Sequence, residues 1–544
     1  KAGLTYAEMG EQAKAVEYFR VAAKGDDAYP PAFARIALYL YEKGDVGPAG
    51  SYAERAVRLG GADGPTHAIL ADRYLWTGDT DSAAAHLQNA VDKSPESDVV
   101  RLAQAHSLML EGNLDEAGRL LDGIADDAPV APLAALYRMD VLWKTGRSQE
   151  AVERLKEVAD KHAELPWLAM LSLDSQFASG RRAEALAEVK RLEERFADLP
   201  GARLDLGRLL GKRGLDGLAL QVALGCEDEP GVELPARIFA GELYLRRGLP
   251  DLAEDYARRA LLEDAGHPAA LLLAGKAALA KRDADEAARR FGDVVKAAPE
   301  SAEAWYLLAT AQRAQRDVEA ACQSFLRACE LRPDSGPFRQ DCGRMLLAAG
   351  KKAEAREQFL RAAELLPRPY APYTSLGMMA QEEGDNAKAR EYYVKAIEAA
   401  PDRSIIAANN MAELLLSENK DIPLALAFAY SAHVRAFGTP LEAPAADTLA
   451  NALIRAGYPA SAVGLARMAA RIRPDSPERH YRRGLAEAAA GNLEEALRAF
   501  DKAAELDPDS ESAVLARGLA EMLKQREKER QEAAPEASGP KEEG

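Results

Sequence analysis

An all-α solenoid of antiparallel helix pairs is the fold this sequence predicts, and three residue types recurring on one beat predict it. Ala stands at 15, 49, 83, 117, 151, 185, 219, 253, 287, 321, 355 and 389, each 34 residues from the last. Gly keeps the same interval at Gly10, Gly44, Gly78, Gly112, Gly146, Gly180, Gly214 and Gly248, gives way to Arg282 and Arg316, and returns at Gly350 and Gly384. Pro follows at Pro95, Pro129, Pro299, Pro333, Pro367 and Pro401. A period of this length belongs to a small unit that cannot bury its apolar face alone and must stack on its neighbours.

The stretch Ala302 to Ser335 shows why each residue type stands where it does. Trp305, Leu308, Ala309 and Ala311 recur at helical spacing, and Ala321, Phe325 and Ala328 repeat the pattern further on, which gives two short helices. Gly at unit position 15 falls where the first helix must stop, a place commonly taken by a left-handed residue. Asp79, Asn113, Asp385 and Asn492 then stand as caps for the second helix, with Glu116 and Glu495 three residues on completing a capping-box pattern. The periodic Ala lies at the helix crossing, where a larger side chain would push the backbones apart. Proline prevents the second helix from continuing.

The unit resembles the tetratricopeptide repeat, whose pattern asks for a large residue at 4, Leu at 7, a small one at 8, a large one at 11, Ala at 20, an aromatic at 24, Ala at 27 and Pro at 32. One unit here reads Trp305, Leu308, Ala309, Gln312, Ala321, Phe325, Ala328, Pro333, and another Tyr373, Leu376, Gly377, Ala380, Ala389, Tyr393, Ala396, Pro401. Units begin at 30, 64, 98, 132, 166, 200, 234, 268, 302, 336 and 370, with a looser one over 405–442 and regular ones at 443 and 477. With a partial unit at the start this makes about 15 repeats, and the resemblance implies a right-handed α-solenoid superhelix running continuously over 1–523. Position 24 shrinks to Ala53, Ala223 and Ala257, so those interfaces are expected to pack closer or less fully. Ser417 to Pro423 adds residues and ends in Pro, which predicts a longer turn.

Lys1 falls inside a helix of the first unit, so upstream sequence is expected to have been removed, and any targeting signal with it. At the other end Glu511 to about Leu523 reads as a capping helix. Residues 524–544 are charged and Pro/Gly-containing, and are expected to be disordered.

At 544 residues, length alone suggests three or four domains of roughly 150 residues, a prior the repeat overturns. A net charge of −17 argues against a protein whose main task is gripping nucleic-acid phosphate. No uncharged apolar run reaches the roughly 18 residues of a membrane span, since even Ala269 to Ala280 contains Lys276. Cys226, Cys322, Cys329 and Cys342 include no CxxC pair, and positions 27 and 7, held by Cys226 and Cys342, are core positions where a thiol acts as a small hydrophobe. His67, His86, His106, His162, His267, His433 and His480 form no HExxH, and neither GxxxxGK[ST] nor GxSxG occurs. The expectation is a non-enzymatic protein with no cofactor or metal.

What remains is a surface. The resemblance implies that first helices line a concave groove through positions 2, 5, 9 and 12 or 13. Position 9 runs Leu38, Asp72, His106, Asp140, Asp174, Arg208, Glu242, Lys276, so the charge changes sign midway. Between about residues 64 and 200 the expected partner-binding groove pairs Met109, Trp143, Met170 and Phe177 with the carboxylates Asp72, Asp140 and Asp174, and the expected site also takes in His106 and Arg208. Apolar anchors beside carboxylates suit a protein or peptide partner with basic amphipathic segments. Chaperone-tail binding is argued against: related domains of that kind present Lys at position 5 and Asn at 9, whereas Asn451 here accompanies Asp447, which would repel a carboxylate.

The leading expectation is therefore a scaffold that binds protein segments and organises a multiprotein assembly. In the C-terminal third, Asn409-Asn410-Met411-Ala412-Glu413-Leu414-Leu415 and Asp447-Thr448-Leu449-Ala450 are similar to repeat proteins of bacterial cell-envelope polysaccharide export, which implies a place in the cell envelope or periplasm. The alternatives are the regulatory arm of a larger enzyme such as a glycosyltransferase, distinguished by a catalytic domain on the same gene product, and a self-assembling structural protein, distinguished by light scattering against concentration.

Overall fold

A computed structural model describes residues 2–9, 11–24 and 29–533, and every regular element among them is a helix. There are 31, from α1 (Ala2–Glu8) to α31 (Glu511–Ala533), forming fifteen consecutive pairs in chain order followed by α31. They group into two compact units, unit 1 over residues 1–273 and unit 2 over residues 274–544.

In unit 1 first helices pack on their own second helices, and several also pack on the next first helix. Thus α5 (Gly64–Thr77) lies against α6 (Thr80–Lys93) and also against α3 (Pro30–Glu42) and α7 (Asp98–Leu110). Unit 2 repeats the scheme, with α19 (Ala302–Ala314) on α20 (Val318–Leu331), α21 (Gly336–Ala348) on α22 (Lys352–Leu365) and α23 (Tyr370–Glu382) on α24 (Asn386–Ala399). Every Ala of the 34-residue series is at most 1 % exposed, so one added methyl would meet a neighbouring backbone or core side chain.

The turns follow the sequence closely. At position 15 the glycines from Gly44 to Gly248, with Gly350 and Gly384, have φ between 72° and 89°, and Arg282 (φ 65°) and Arg316 (φ 67°) hold the same left-handed conformation without being glycine. The lapse in the glycine beat changes the residue and leaves the backbone alone; Gly10 lies outside the described residues. Five second helices, α6, α18 (Ala284–Ala297), α20, α22 and α24, end two residues before their Pro.

The four expected caps divide by residue type. Asp79 accepts from the backbone N–H of Ser82 at 3.1 Å and Asp385 from that of Lys388 at 3.0 Å. Asn113 and Asn492 make no such bond. Their amides donate instead to Glu116 and Glu487, each at 2.8 Å, because a side chain with two N–H donors finds a carboxylate within reach, whereas Asp has only acceptors to offer. Glu116 is thereby engaged by the Asn113 side chain, and the capping box expected there is not formed.

Two departures stand out in unit 2. The longer turn after α25 (Ile405–Ser417) places Asn419 at φ 51° and Asp421 at φ 42° before α26 (Ile422–Ala436) begins. At the C-terminus α31 continues through Ala533, beyond the expected end near Leu523, on strong helix formers with Gln525–Glu529 and Lys528–Glu532 pairs one turn apart. The rest of the expected tail, 534–544, lies outside the described residues. All four cysteines are buried and free.

Candidate functional site

The first helices of unit 1 converge on one carboxylate. Asp72 of α5 is fully enclosed, and three donors from three other first helices reach it: the Tyr41 hydroxyl of α3 at 2.9 Å, the His106 Nδ1 of α7 at 2.7 Å, and the Tyr137 hydroxyl of α9 (Ala131–Lys144) at 2.8 Å. A carboxylate only accepts, so His106 carries its proton on Nδ1. Trp76, half-exposed, closes the cluster by donating its indole N–H to the Tyr137 oxygen at 2.9 Å. Burial, and after it the charge of Asp72, pushes the phenols of Tyr41 and Tyr137 well above their ordinary range, so both stay protonated as donors.

This arrangement fixes what Asp72 can do. An imidazole held by a carboxylate is the geometry that orients a general base, yet no Ser, Thr or Cys among the described residues is hydrogen-bonded to His106. Nor can Asp72 greet a basic ligand, because its oxygens are already occupied and out of reach of solvent. Asp72 and His106 tie four repeats together, and Met109 is buried in the core beneath them. The spacing of position 9 picks out Asp72 and misses the phenols, 31 and 65 residues away, that close over it.

The other expected groove residues lie nearer the surface. Asp140 is partly exposed and pairs with Lys144 of its own helix at 2.8 Å, and Trp143 beside it is 37 % exposed. Met170, Asp174 and Phe177 of α11 (Pro166–Ala178) are half-buried; Asp174 is taken by Arg213, just past α13 (Pro200–Lys212), which donates Nε to it at 2.6 Å. Arg208 is exposed and pairs with Asp205 at 2.9 Å. Two residues at position 13 were not singled out by the pattern: Trp76 and Leu110, 55 % and 56 % exposed. With Trp143 they put a large apolar side chain in the last turn of three consecutive first helices, α5, α7 and α9. Reading position 13 beside position 12 would have found them.

Two further features shape unit 1. Trp167, in the first turn of α11, donates its indole N–H to the Lys43 carbonyl at 3.2 Å across 124 residues of chain, its ring lies over Gly44, and Lys43 approaches Glu164 at 3.8 Å. The turn between α3 and α4 (Val46–Arg58) is thus clasped to a helix four repeats on. Beside this, Lys93 of α6 approaches Nε2 of the buried His67 at 3.1 Å, and His67 Nδ1 meets His86 Nδ1 at 3.1 Å. Because Lys can only donate, His67 holds its proton on Nδ1 and passes it toward His86. Burial, reinforced by Lys93, lowers the His67 pKa to about 4, and burial lowers that of His86.

In unit 2, α27 (Glu442–Arg455), α29 (Pro477–Ala489) and α31 line a half-open pocket of about 500 Å³ with Asn451, Tyr481, Arg482 and Glu511 on its walls. Asp447, also on its wall, is buried in an ion pair with Arg479, so the carboxylate that spoke against chaperone-tail binding is itself neutralised. The C-terminal motif residues serve packing: Met411, Ala412, Leu414 and Leu415 are core, and Glu413 accepts from Thr448 at 2.8 Å, joining α25 to α27. Among the described residues no group of three or more His, Cys, Asp and Glu side chains is placed to hold a metal, and no helix is long and apolar enough to cross a membrane.

Paired helices stacked on a fixed period, with small residues at every crossing, define a helical repeat protein. Family models of the tetratricopeptide repeat match residues 76–139, 272–336, 370–403 and 477–510, and the chain carries tetratricopeptide repeats. Among solved structures, the chain is similar to the Cut9–Hcn1 hetero-tetramer of the APC/C at 15 % identity, covering 93 % of this chain and 98 % of that one, with a TM-score of 0.42. Yeast Tom70 matches at 15 % identity over 80 % of this chain and 98 % of its own, TM-score 0.35. YrrB, described as a repeat protein with an unusual peptide-binding site, matches at 24 % identity over 34 % and 95 %, TM-score 0.31. No curated protein sequence matches.

Proposed function

We propose that the chain is a non-enzymatic scaffold that holds segments of protein partners along the first-helix face of unit 1 and so organises an assembly. The observation that carries this reading is the row Trp76, Leu110 and Trp143, three large apolar side chains left exposed on successive first helices above a polar cluster that is satisfied internally. Exposed aromatic and aliphatic anchors of this kind supply most of the binding energy in interfaces. Asp140, whose only partner among the described residues is Lys144 of its own helix, and the net charge of −17 favour a segment carrying Lys or Arg beside its apolar residues. Asp72, His106 and Met109 support the site from below; Asp140, Trp143, Met170, Asp174, Phe177 and Arg208 remain as its surface. A narrower place in envelope polysaccharide export would rest on the Asn409–Leu415 and Asp447–Ala450 motifs, most of whose residues are taken up in packing, and the proposal stops at the scaffold.

The test places a photo-crosslinking residue at Lys144, beside Trp143, or at Lys190 on the exposed side of the second helix α12 (Arg182–Arg195). Partners should be captured from position 144, and Leu110→Ala with Trp143→Ala should reduce capture about tenfold without changing the melting curve. Capture confined to position 190, or unchanged by the double variant, would overturn the reading.

A further inference from the structure

The second helices of a repeat stack ordinarily turn charge to solvent, and in unit 2 α24 shows Lys388, Glu391 and Glu398, while α30 (Leu493–Leu506) shows Glu494, Arg498, Asp501 and Glu505. Helix α26 does the opposite. Tyr430 and Val434 stand exposed one helical turn apart, Leu424 is exposed near the start of the helix, and Phe437, 79 % exposed, extends the row just past its end. Beside this stripe lies a cavity of about 590 Å³ walled by Leu426, Tyr430 and His433 of α26, Leu449 and Leu453 of α27, and Leu465 of α28 (Pro459–Ile472). Its lining is almost wholly apolar, and Nδ1 of His433 is buried without a hydrogen-bond partner among the described residues.

Within α26 and α28 themselves every charge has one sign. Helices α26 and α28 contain no Asp or Glu, and they carry Arg435, Arg467 and Arg471 in a chain whose net charge is −17. Arg467 is paired with Glu487 at 2.6 Å, but Arg435 and Arg471 have no carboxylate partner among the described residues. The two acids that flank α26 are engaged by backbone: Asp421 accepts from Leu424 N–H at 3.2 Å and Glu442 from Gly438 N–H at 2.9 Å.

We infer that this outer face of unit 2 is a docking site for an amphipathic helix of a partner protein whose polar side is acidic. Apolar residues one helical turn apart on such a helix match the stripe and put an anchor into the cavity, while its carboxylates meet Arg435 and Arg471. A lipid surface would cover the stripe but could not enter a cavity between three helices. A second copy, paired α26 to α26 about a two-fold axis, would offer Arg435 no carboxylate, since α26 contains none. The chain's own C-terminal 534–544 offers no apolar side chain larger than Pro. The site stands on a different unit and a different helix face from the groove of unit 1, and neither requires the other.

The probe is a labelled 20-residue synthetic helix with Leu and Phe along one side and Glu elsewhere, titrated against the full chain by fluorescence anisotropy, beside a twin in which every Glu is Lys. The Glu peptide should bind saturably and at least about tenfold more tightly than the Lys twin, and added salt should weaken it. Tyr430→Ser with Val434→Ser should cost about tenfold or more, as should Arg435→Glu with Arg471→Glu; all four side chains lie outside the core, so the circular dichroism melt should not move. The Leu110→Ala, Trp143→Ala variant of unit 1 should bind the peptide unchanged. Absence of saturable binding, equal binding of the two peptides, or loss of binding in the unit 1 variant would overturn the inference. So would phosphatidylglycerol vesicles, or concentration-dependent dimers seen by light scattering, proving to be what the Tyr430 and Val434 changes abolish in place of peptide binding.

Discussion

Five repeats of unit 2 seat an aromatic ring at position 24 against a small residue at position 8: Phe291 on Gly275, Phe325 with Ala309, Phe359 on Gly343, Tyr393 on Gly377 and Phe500 on Gly484. A Cβ added at those four glycines would meet the ring at 2.4 to 2.8 Å. None of the seven full repeats of unit 1 is built this way. Position 24 there is Ala, Leu or Val, and the room beside Gly241, for example, is filled by Leu273 from the next first helix. Unit 1 adds the Asp72 cluster, which draws in side chains from four repeats at once. One period therefore supports two kinds of cohesion: within the repeat in unit 2, where energies should add repeat by repeat, and across repeats in unit 1, where they should couple.

Removing the ring in unit 2 should have the largest effect. Phe359→Ala should cost about 4 kcal/mol, with hydrogen exchange showing lost protection centred on α21 and α22; loss spread evenly through unit 2 would break the comparison. Asp72→Ala leaves three buried donors unpaired and should cost on the order of 3 kcal/mol, and here protection should fall together in α3, α5, α7 and α9. A loss confined to α5 would mean that the cluster does not couple its repeats.

The histidine pair sharpens the contrast through pH. In the fold His67 titrates at about 4, against roughly 6.5 in an unfolded chain. Between those values the unfolded chain takes up a proton that the fold refuses, so stability is full above about pH 6.5 and falls as pH drops. At pH 5 the loss should be about 2 kcal/mol, seen by hydrogen exchange in α5 and α6 and removed by His67→Gln. The smallest effect belongs to the turns. Unit 1 has glycine at every described position 15, while Arg282 and Arg316 of unit 2 hold the left-handed conformation with a side chain, so Arg282→Gly should stabilise by about 0.5 kcal/mol, readable as a small rise in melting temperature.

The architecture was legible because crossings and turns each demand a residue type: Ala at a close approach, Gly or a tolerated Arg at a left-handed turn, Pro past a helix end. The proposed binding face was legible only in part. Position 9 tells which side of a helix Asp72 and Asp174 occupy, but whether such a carboxylate meets solvent depends on Tyr41, Tyr137 and Arg213, which stand 31, 65 and 39 residues away. Periodicity relates equivalent positions and has nothing to say about which unlike ones become neighbours. The same limit hid the His67–His86 contact, at positions 4 and 23, and the cavity over α26, which follows a turn whose added residues were visible although their result was not.

The clasp between Trp167 and Lys43 bears on how such a chain can grow. Tandem arrays lengthen and shorten by copying or dropping whole modules, and in most places a module more or less is geometrically harmless. Between Lys43 and Trp167 it is not, since one extra 34-residue copy would carry the indole a full step away from its carbonyl. That stretch of the molecule counts its own modules.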